Sequence, residues 1–307
     1  MNVVIQGNEE LINIIRQYYD HEIDQVNKVP HTKFTITSKN YKVIAYNSNK
    51  IMFQGKEAIK EAEIWQKHLG ECLTKKTTTK KVYQNNFTNI NKNESIGSDE
   101  VGTGDYFGPV VVCACYINEQ IINHLLPYQI NDSKLMDDEY IIEIAGEISK
   151  YLPHVIYIID NKTYNKIQPT NNLNQIKAKM HNYVIGKLIK KINKKPLVII
   201  DQFCSKENYF KYLSNTPNTI IKEVHMETKA ESKYLAVALA SILARNAFLE
   251  EMDKLSAQIK MDIPKGASSY VDNQGVKIVE KYGLDILDEI AKKHFKNTTK
   301  IMEKLKQ

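Results

Sequence analysis

Four acidic side chains occupy positions where a packed scaffold would hold them rigidly. Asp99 and Glu100 precede a glycine-rich stretch, Asp201 follows the apolar segment 197–200, and Glu231 precedes a long helix pattern. Carboxylates at the ends of buried strands lose hydration, and converging carboxylates repel one another. A hard divalent cation with oxygen ligands offsets both costs. Because no His or Cys cluster lies nearby, these residue types favour Mg²⁺ or Mn²⁺ over zinc.

Each of these acids also has a simpler interpretation. A carboxylate at the end of a strand is often a turn or helix-capping residue, and Glu231 fits the first turn of a helix. Spacing along the chain does not show convergence in space. The metal site is therefore a prediction that depends on the fold.

The stretch from Gly102 to Gly104 adds a second chemical feature beside Asp99 and Glu100. The glycines let the main chain approach a ligand closely, and the Thr103 hydroxyl can bond to a sugar. The ribose 2′-OH, both donor and acceptor, is the group that distinguishes RNA from DNA. A tight turn between strands is the alternative interpretation of this short motif.

Hydrophobic patterns predict the elements that position these residues. Residues 1–70 have the pattern of a small helix–sheet–helix domain, with strands near 33–37, 41–46 and 51–53. Residues 71–94 are polar and aperiodic, which is typical of a linker. Residues 95–307 show an α/β pattern, with buried strands at 110–117, 155–159 and 197–200 and helices at 174–192 and 234–255.

The composition of the chain limits the classes of function that are compatible with it. The 307 residues carry a net charge of +6, and all but two of the 42 basic residues are lysines. Lysine binds phosphate as a point charge without reading bases, although AT-rich coding alone also produces lysine-rich chains. The chain lacks an apolar run of roughly 20 residues and a signal-peptide layout. Its four cysteines lack zinc spacing, so we expect a reduced, cytoplasmic protein without membrane contact.

Several segments resemble the type 2 ribonucleases H, and specifically their ribonuclease HIII branch. The residues are SDEVGTGDYFGP at 98–109, NDSKL at 131–135, TKAES at 228–232, AVALASILAR at 236–245 and AKKHFKNT at 291–298. In the ribonuclease HII branch, arginine replaces Thr103 and aspartate replaces Glu231. The resemblance covers about residues 95–300, and residues 1–70 resemble, less specifically, a TATA-binding-protein-like domain.

This resemblance implies a ribonuclease H-like mixed sheet flanked by helices, behind a small N-terminal α+β substrate-binding domain. It implies that Asp99, Glu100, Asp201 and Glu231 are the catalytic acids and bind Mg²⁺ or Mn²⁺, with two ions per site. The implied reaction is endonucleolytic hydrolysis of the RNA strand of an RNA–DNA hybrid, leaving 5′-phosphate and 3′-hydroxyl ends. We also expect a monomer without an obligate protein partner.

Other implied roles concern substrate contacts. Gly102, Thr103 and Gly104 would read the 2′-OH, and Lys134 would contact a phosphate. Ser133 is expected to cap the helix that follows it. His225 and His294 have the residue type of proton shuttles, although a surface or core histidine is the simpler interpretation of His225.

Two other functions are compatible with the sequence. Ribonuclease HII-like incision at single ribonucleotides in DNA is disfavoured by Thr103, Glu231 and the N-terminal extension. A non-catalytic nucleic-acid-binding protein on a nuclease scaffold is disfavoured by the complete set of four acids.

Overall fold

The computed structural model describes residues 2–306 apart from 8, 20–31, 39, 76–89, 126, 127, 129, 131, 132, 134 and 135. The chain divides into two compact units, Met1–Lys81 and Val82–Gln307. The helix before the predicted linker ends at Lys75, later than the sequence pattern indicates. Residues 76–89 of that linker lie outside the described residues.

The first unit is a four-stranded antiparallel sheet with two helices. Its elements are β1 (Asn2–Gln6), α1 (Glu9–Tyr18), β2 (Thr32–Thr37), β3 (Tyr41–Tyr46), β4 (Lys50–Gly55) and α2 (Ala58–Lys75). The strands pair in the order β1-β4-β3-β2. The predicted small α+β domain is confirmed. The sequence analysis missed β1, because a single short apolar run does not distinguish strand from helix.

The second unit is built on a five-stranded mixed sheet. Its strands are β5 (Ser95–Val101), β6 (Val110–Ile117), β7 (His154–Ile159), β8 (Leu197–Asp201) and β9 (His225–Glu227). They lie in the order β7-β6-β5-β8-β9. The β5–β8 and β8–β9 pairs are parallel, and the others are antiparallel. The predicted mixed sheet is confirmed.

Helices flank this sheet. They are α3 (Glu119–Leu125), α4 (Asp138–Ile148), α5 (Asn161–Ile167), α6 (Leu173–Ile192), α7 (Lys206–Leu213), α8 (Leu235–Ile259), α9 (Ser269–Tyr282), α10 (Ile286–Ile290) and α11 (Lys296–Lys304). In the part of the chain that the structure describes, no helix is long and apolar enough to cross a membrane.

The sheet is buried on both faces, which explains why β6 is uniformly apolar. All eight residues of β6 are buried. Successive side chains of a strand point to opposite faces. Val111, Cys113 and Cys115 therefore belong to the core that contains α8, whereas Val112 and Ala114 belong to the core that contains α6. The side chains of β6 are thus divided between the two cores.

The contact between β5 and α8 is unusually close. A Cβ added to Gly97 would lie 2.1 Å from the backbone carbon of Ala236 and 2.3 Å from the backbone nitrogen of Val237. The small residues of α8 and the missing side chain of Gly97 let the helix backbone rest directly on the strand. This contact fixes the helix beside the strand that carries Asp99.

We expect Gly97→Ala to destabilise the protein by about 2–3 kcal/mol, because backbone atoms on both sides cannot yield. Thermal unfolding followed by circular dichroism would measure the loss. Gly146→Ala is the matched control, since a Cβ at this exposed helical position meets nothing within 4 Å. Alanine there should stabilise the protein by up to about 1 kcal/mol. Equal melting temperatures for the two variants would contradict the proposed close contact.

Candidate active site

Two parallel strands bring the predicted acids to one edge of the sheet. Ser98 of β5 is in register with Ile200 of β8, and an aspartate follows each of them. Glu231 lies in a short 3-10 turn, Ala230–Ser232, immediately before α8. The amide nitrogen of Ala230 donates to Asp201 Oδ1 at 2.8 Å, which ties this turn to the end of β8.

Asp99 is buried on the α8 side of the sheet. Only 5% of the residue is exposed. Burial raises its pKa well above the usual range, and the charges of Glu100 and Asp201 act in the same direction. Hydrogen bonds from the Ser241 hydroxyl and from the Glu100 amide oppose the shift but do not cancel it. The Asp99 site therefore disfavours a bare negative charge.

The pKa of Asp201 is also raised by burial and by neighbouring negative charges, although Asp201 is less buried than Asp99. Burial raises its pKa to about 6, and the charge of Glu231 together with a hydrogen bond between the two acids contributes. Glu231 itself is 3% exposed. Asp201 thus interacts with Glu231 and Glu100, and Asp99 interacts with Glu100 and Asp201, so that a proton or a cation would relieve the repulsion among these acids.

Glu100 is held in a different way. Its Oε1 accepts from Lys177 Nζ at 2.9 Å, and its Oε2 accepts from His181 Nε2 at 2.9 Å. Burial would raise the pKa of Glu100, but the bond from His181 and the charges of His181 and Lys177 outweigh it and lower the pKa to about 2. The carboxylate is therefore charged and paired on the α6 side.

Strand geometry explains this difference between two consecutive acids. Neighbouring residues of β5 point to opposite faces, so Asp99 faces α8 and Glu100 faces α6. Among the described residues, no group of three or more His, Cys, Asp or Glu side chains is arranged to hold a metal ion. The structure pairs Asp201 with Glu231, places Asp99 under the influence of the charges of Glu100 and Asp201, and holds Glu100 by bonds to Lys177 and His181.

The glycine-rich loop lies directly after these acids on the chain. Gly102 has a φ of +90°, and a Cβ there would lie 2.2 Å from the carbonyl oxygen of Pro109. Thr103 is half-buried, and Gly104 is exposed with nothing within 4 Å of its Cβ position. Gly102 is thus required by the fold, whereas the surface at Gly104 is open to a ligand.

The predicted cap at Ser133 is wrong. The side chain of Asp137 caps α4 by accepting from the Tyr140 amide at 3.0 Å. The Ser133 hydroxyl instead lies 2.8 Å from the hydroxyl of Ser241, the residue that bonds to Asp99. Lys134, the predicted phosphate contact, lies outside the described residues.

Both candidate histidines are exposed. His225 is an exposed residue that bonds to Glu227 at 3.1 Å, which agrees with the simpler interpretation of a surface histidine. His294 is exposed and packs against the rings of Tyr164 and Phe295. A role for His294 stays a prediction.

The sequence motifs did not predict a role for Lys177, His181 or Ser241. Lys177 and His181 are one helical turn apart on α6, so their side chains share a face. That face is buried, which is unusual for a lysine, and this i, i+4 pair is the signal that could have identified them. Ser241 lacks such a signal, because a serine among alanines on a buried helix is common.

Comparison with known proteins places this site in a family of nucleases. A family model described as Ribonuclease HII matches residues 96–298, and a domain of unknown function (DUF3378) matches residues 2–81. The chain belongs to the ribonuclease HII family.

Within that family, relatives named Ribonuclease HIII match nearly the whole chain. The chain is 39% identical to Ribonuclease HIII of Enterococcus faecalis over 93% of each chain, and 36% identical to that of Geobacillus kaustophilus over 98% of each. A crystal structure of Bst-RNase HIII in complex with Mn²⁺ is 35% identical, with a TM-score of 0.68, and covers 100% of this chain and 99% of its own. A structure of Aquifex aeolicus RNase H3, 22% identical with a TM-score of 0.54, shares the fold.

The raised pKa of Asp201 predicts a pH-dependent stability. An acid whose pKa rises on folding destabilises the fold at pH values above that pKa, and the cost vanishes below its ordinary value of 3.8. We therefore expect Asp201→Asn to raise the melting temperature of the protein in EDTA at pH 8 but not at pH 3.5. The asparagine oxygen can still accept from the Ala230 amide.

The exposed Asp253 provides the matched control. Asp253→Asn should leave the melting temperature unchanged at both pH values, because this carboxylate is hydrated in the folded and unfolded chain. An Asp201→Asn variant that melts at or below the wild-type temperature at pH 8 would show that the acids are not in electrostatic conflict.

Proposed function

We propose that this protein is an endonuclease that hydrolyses the RNA strand of RNA–DNA hybrids and leaves 5′-phosphate and 3′-hydroxyl ends. The observation that carries the proposal is the crowding of Asp99, Asp201 and Glu231 at the adjacent ends of β5 and β8. The identity of about 35–39% with ribonucleases HIII over nearly the whole chain supports the same reaction.

The donor set fits divalent cations. Asp99, Asp201, Glu231 and Glu100 offer hard carboxylate oxygens, which suit Mg²⁺ or Mn²⁺, and the raised pKa values of Asp99 and Asp201 reflect charge that a cation would stabilise. The Mn²⁺ complex of Bst-RNase HIII supports this choice. We propose two ions per site, which when bound activate water and stabilise the leaving 3′ oxygen.

The protein's own groups would orient these ligands. The Ser241 hydroxyl and the Glu100 amide hold Asp99, and the Ala230 amide holds Asp201. These donors belong to buried strands and helices, so the carboxylates keep their positions when substrate enters. No nucleophilic side chain is needed, because water is the attacking group.

Substrate recognition would depend on the ribose and the phosphates. The Thr103 hydroxyl and the open backbone at Gly104 follow Glu100 closely along the chain, and they would bond to the 2′-OH next to the cut. Gly102 gives the loop its shape, and Lys134 is proposed as a phosphate contact. The lysine-rich surface fits a protein that holds the backbone without reading sequence.

We place the enzyme in the cytoplasm as a monomer. Its described cysteines, Cys113, Cys115 and Cys204, are free thiols, as expected in a reducing compartment. Every residue invoked in the chemistry lies on one chain.

Asp201→Asn should abolish cleavage of a labelled RNA–DNA hybrid in Mg²⁺ or Mn²⁺, because one of the cation ligands is lost. Hybrid affinity, measured by fluorescence anisotropy, should remain, since the phosphate contacts are intact. Wild-type protein should cleave an all-RNA strand faster than a DNA strand with a single ribonucleotide. Retained turnover by the variant, or preference for the single ribonucleotide, would contradict the proposed reaction.

The first unit is proposed to add affinity for the hybrid, because most of the positive charge excess lies in residues 1–94. Removal of residues 1–81 should raise the Kd for a hybrid by about tenfold or more, as expected when one of two linked binding modules is lost. Turnover at saturating hybrid should change far less. An unchanged Kd at physiological salt would remove this role from the N-terminal unit.

A further inference from the structure

Lys177 and His181 enclose the Glu100 carboxylate with two bonds that have no role in the proposed chemistry. The Lys177 side chain is 9% exposed and the His181 side chain is not exposed, and each bonds to a different oxygen of the Glu100 carboxylate at 2.9 Å. Burying a lysine is costly unless its charge is paired. The burial of Lys177 therefore indicates that its ion pair with Glu100 is specific.

Lys177 and His181 are anchored differently. His181 Nδ1 lies 2.7 Å from the Ser98 hydroxyl, which donates to the carbonyl oxygen of Cys113, so the imidazole is fixed to the sheet. The Lys177 ammonium has a softer support, since it lies 4.2 Å from the centre of the Phe203 ring. His181 stacks on the same ring, with the centroids 5.3 Å apart.

These anchors distinguish what each residue does when a divalent cation approaches. A hydrogen bond from a fixed imidazole to a carboxylate is compatible with ligation through the other carboxylate oxygen, and such bonds orient ligands. An ammonium bound to that other oxygen repels the cation and occupies its ligand. The stem of lysine is long and flexible, and contact with an aromatic face does not fix the ammonium in one position, so the ammonium can move away.

We propose that Lys177 is an internal counter-ion that competes with divalent cations for Glu100, while His181 is a positioning residue that keeps the carboxylate oriented. This inference rests on the proposed function, in which Glu100 is a metal ligand. Lys177 then keeps Glu100 ordered before metal binds and lowers the affinity of the substrate-free site for its cation.

The test is a calorimetric titration of the full-length, hybrid-free protein with Mn²⁺. A neighbouring unit charge shifts the proton affinity of a carboxylate by about 1–3 log units, so we expect Lys177→Met to bind Mn²⁺ roughly tenfold tighter or more. Lys177→Arg keeps the charge and should bind within about threefold of wild type. General damage to the site would weaken binding, so tighter binding is specific to competition.

Lys179→Met is the matched control. Lys179 lies on the same helix and bonds to Asn171 Oδ1 at 2.7 Å. Its removal subtracts the same charge without touching Glu100, so Mn²⁺ affinity should remain at the wild-type value. Equal or weaker Mn²⁺ binding by Lys177→Met overturns the proposal, as does a comparable gain in Lys179→Met.

A second measurement does not depend on the stability of a variant. In a crystal structure of the wild-type protein soaked with Mn²⁺, the distance between Lys177 Nζ and Glu100 Oε1 should exceed about 4 Å, the limit of an ion pair. A retained contact at 2.9 Å with Mn²⁺ on Glu100 overturns the competition.

The proposed function and the proposed role of Lys177 predict different results and can be tested separately. Wild-type protein that neither binds Mn²⁺ nor cleaves a hybrid overturns the proposed function together with the role of Lys177. Wild-type protein that binds Mn²⁺ and cleaves, without any gain in Lys177→Met, overturns only the role of Lys177.

Discussion

Electrostatic repulsion among buried carboxylates is the constraint on which the rest of this structure depends. Asp99, Asp201 and Glu231 would separate or protonate if they lay on mobile segments. The scaffold prevents separation by placing the two aspartates on adjacent parallel strands. The Ala230 amide, in the turn that carries Glu231, also donates a hydrogen bond to Asp201. The close contact of β5 with α8 keeps these strands and this turn in place. The repulsion among the acids therefore persists in the folded protein, and a cation would reduce it.

The alternation of side chains along β5 gives the two halves of the site different characters. Asp99 points toward α8, where it meets neutral donors and other acids, and its pKa rises mainly through burial. Glu100 points toward α6, where Lys177 and His181 hold it as an anion. These two consecutive acids therefore differ in their partners. Glu100 is paired with the Lys177 ammonium, whereas Asp99 accepts from the Ser241 hydroxyl and the Glu100 amide. The ring of Phe203, two residues after Asp201 in the chain, packs against Lys177 and His181 on the Glu100 side.

A network of hydroxyl and guanidinium groups joins the Ser133 segment to the acids. Ser133 bonds to Ser241, and the guanidinium of Arg245 donates to the Ser133 carbonyl while pairing with Asp138 at 2.6 Å. Both Ser241 and Arg245 lie on α8, the helix that packs on β5. The segment proposed to contact phosphate is therefore linked to the helix that positions Asp99, because the same helix face bonds to both.

The sequence by itself predicted the class of fold, which the structure confirms, and a candidate set of four acids. The uniform burial of β6 and the glycine motif beginning at Gly102 are local patterns, and local patterns survive in one dimension. Only the tertiary structure decided how the acids divide. Whether Glu100 joins Asp99 depends on which helix covers each face of the sheet, and Lys177 lies 77 residues away along the chain. Electrostatic partners of this kind are set by packing between distant elements. The i, i+4 spacing of Lys177 and His181 shows that they share a helix face, but it does not show which acid that face meets.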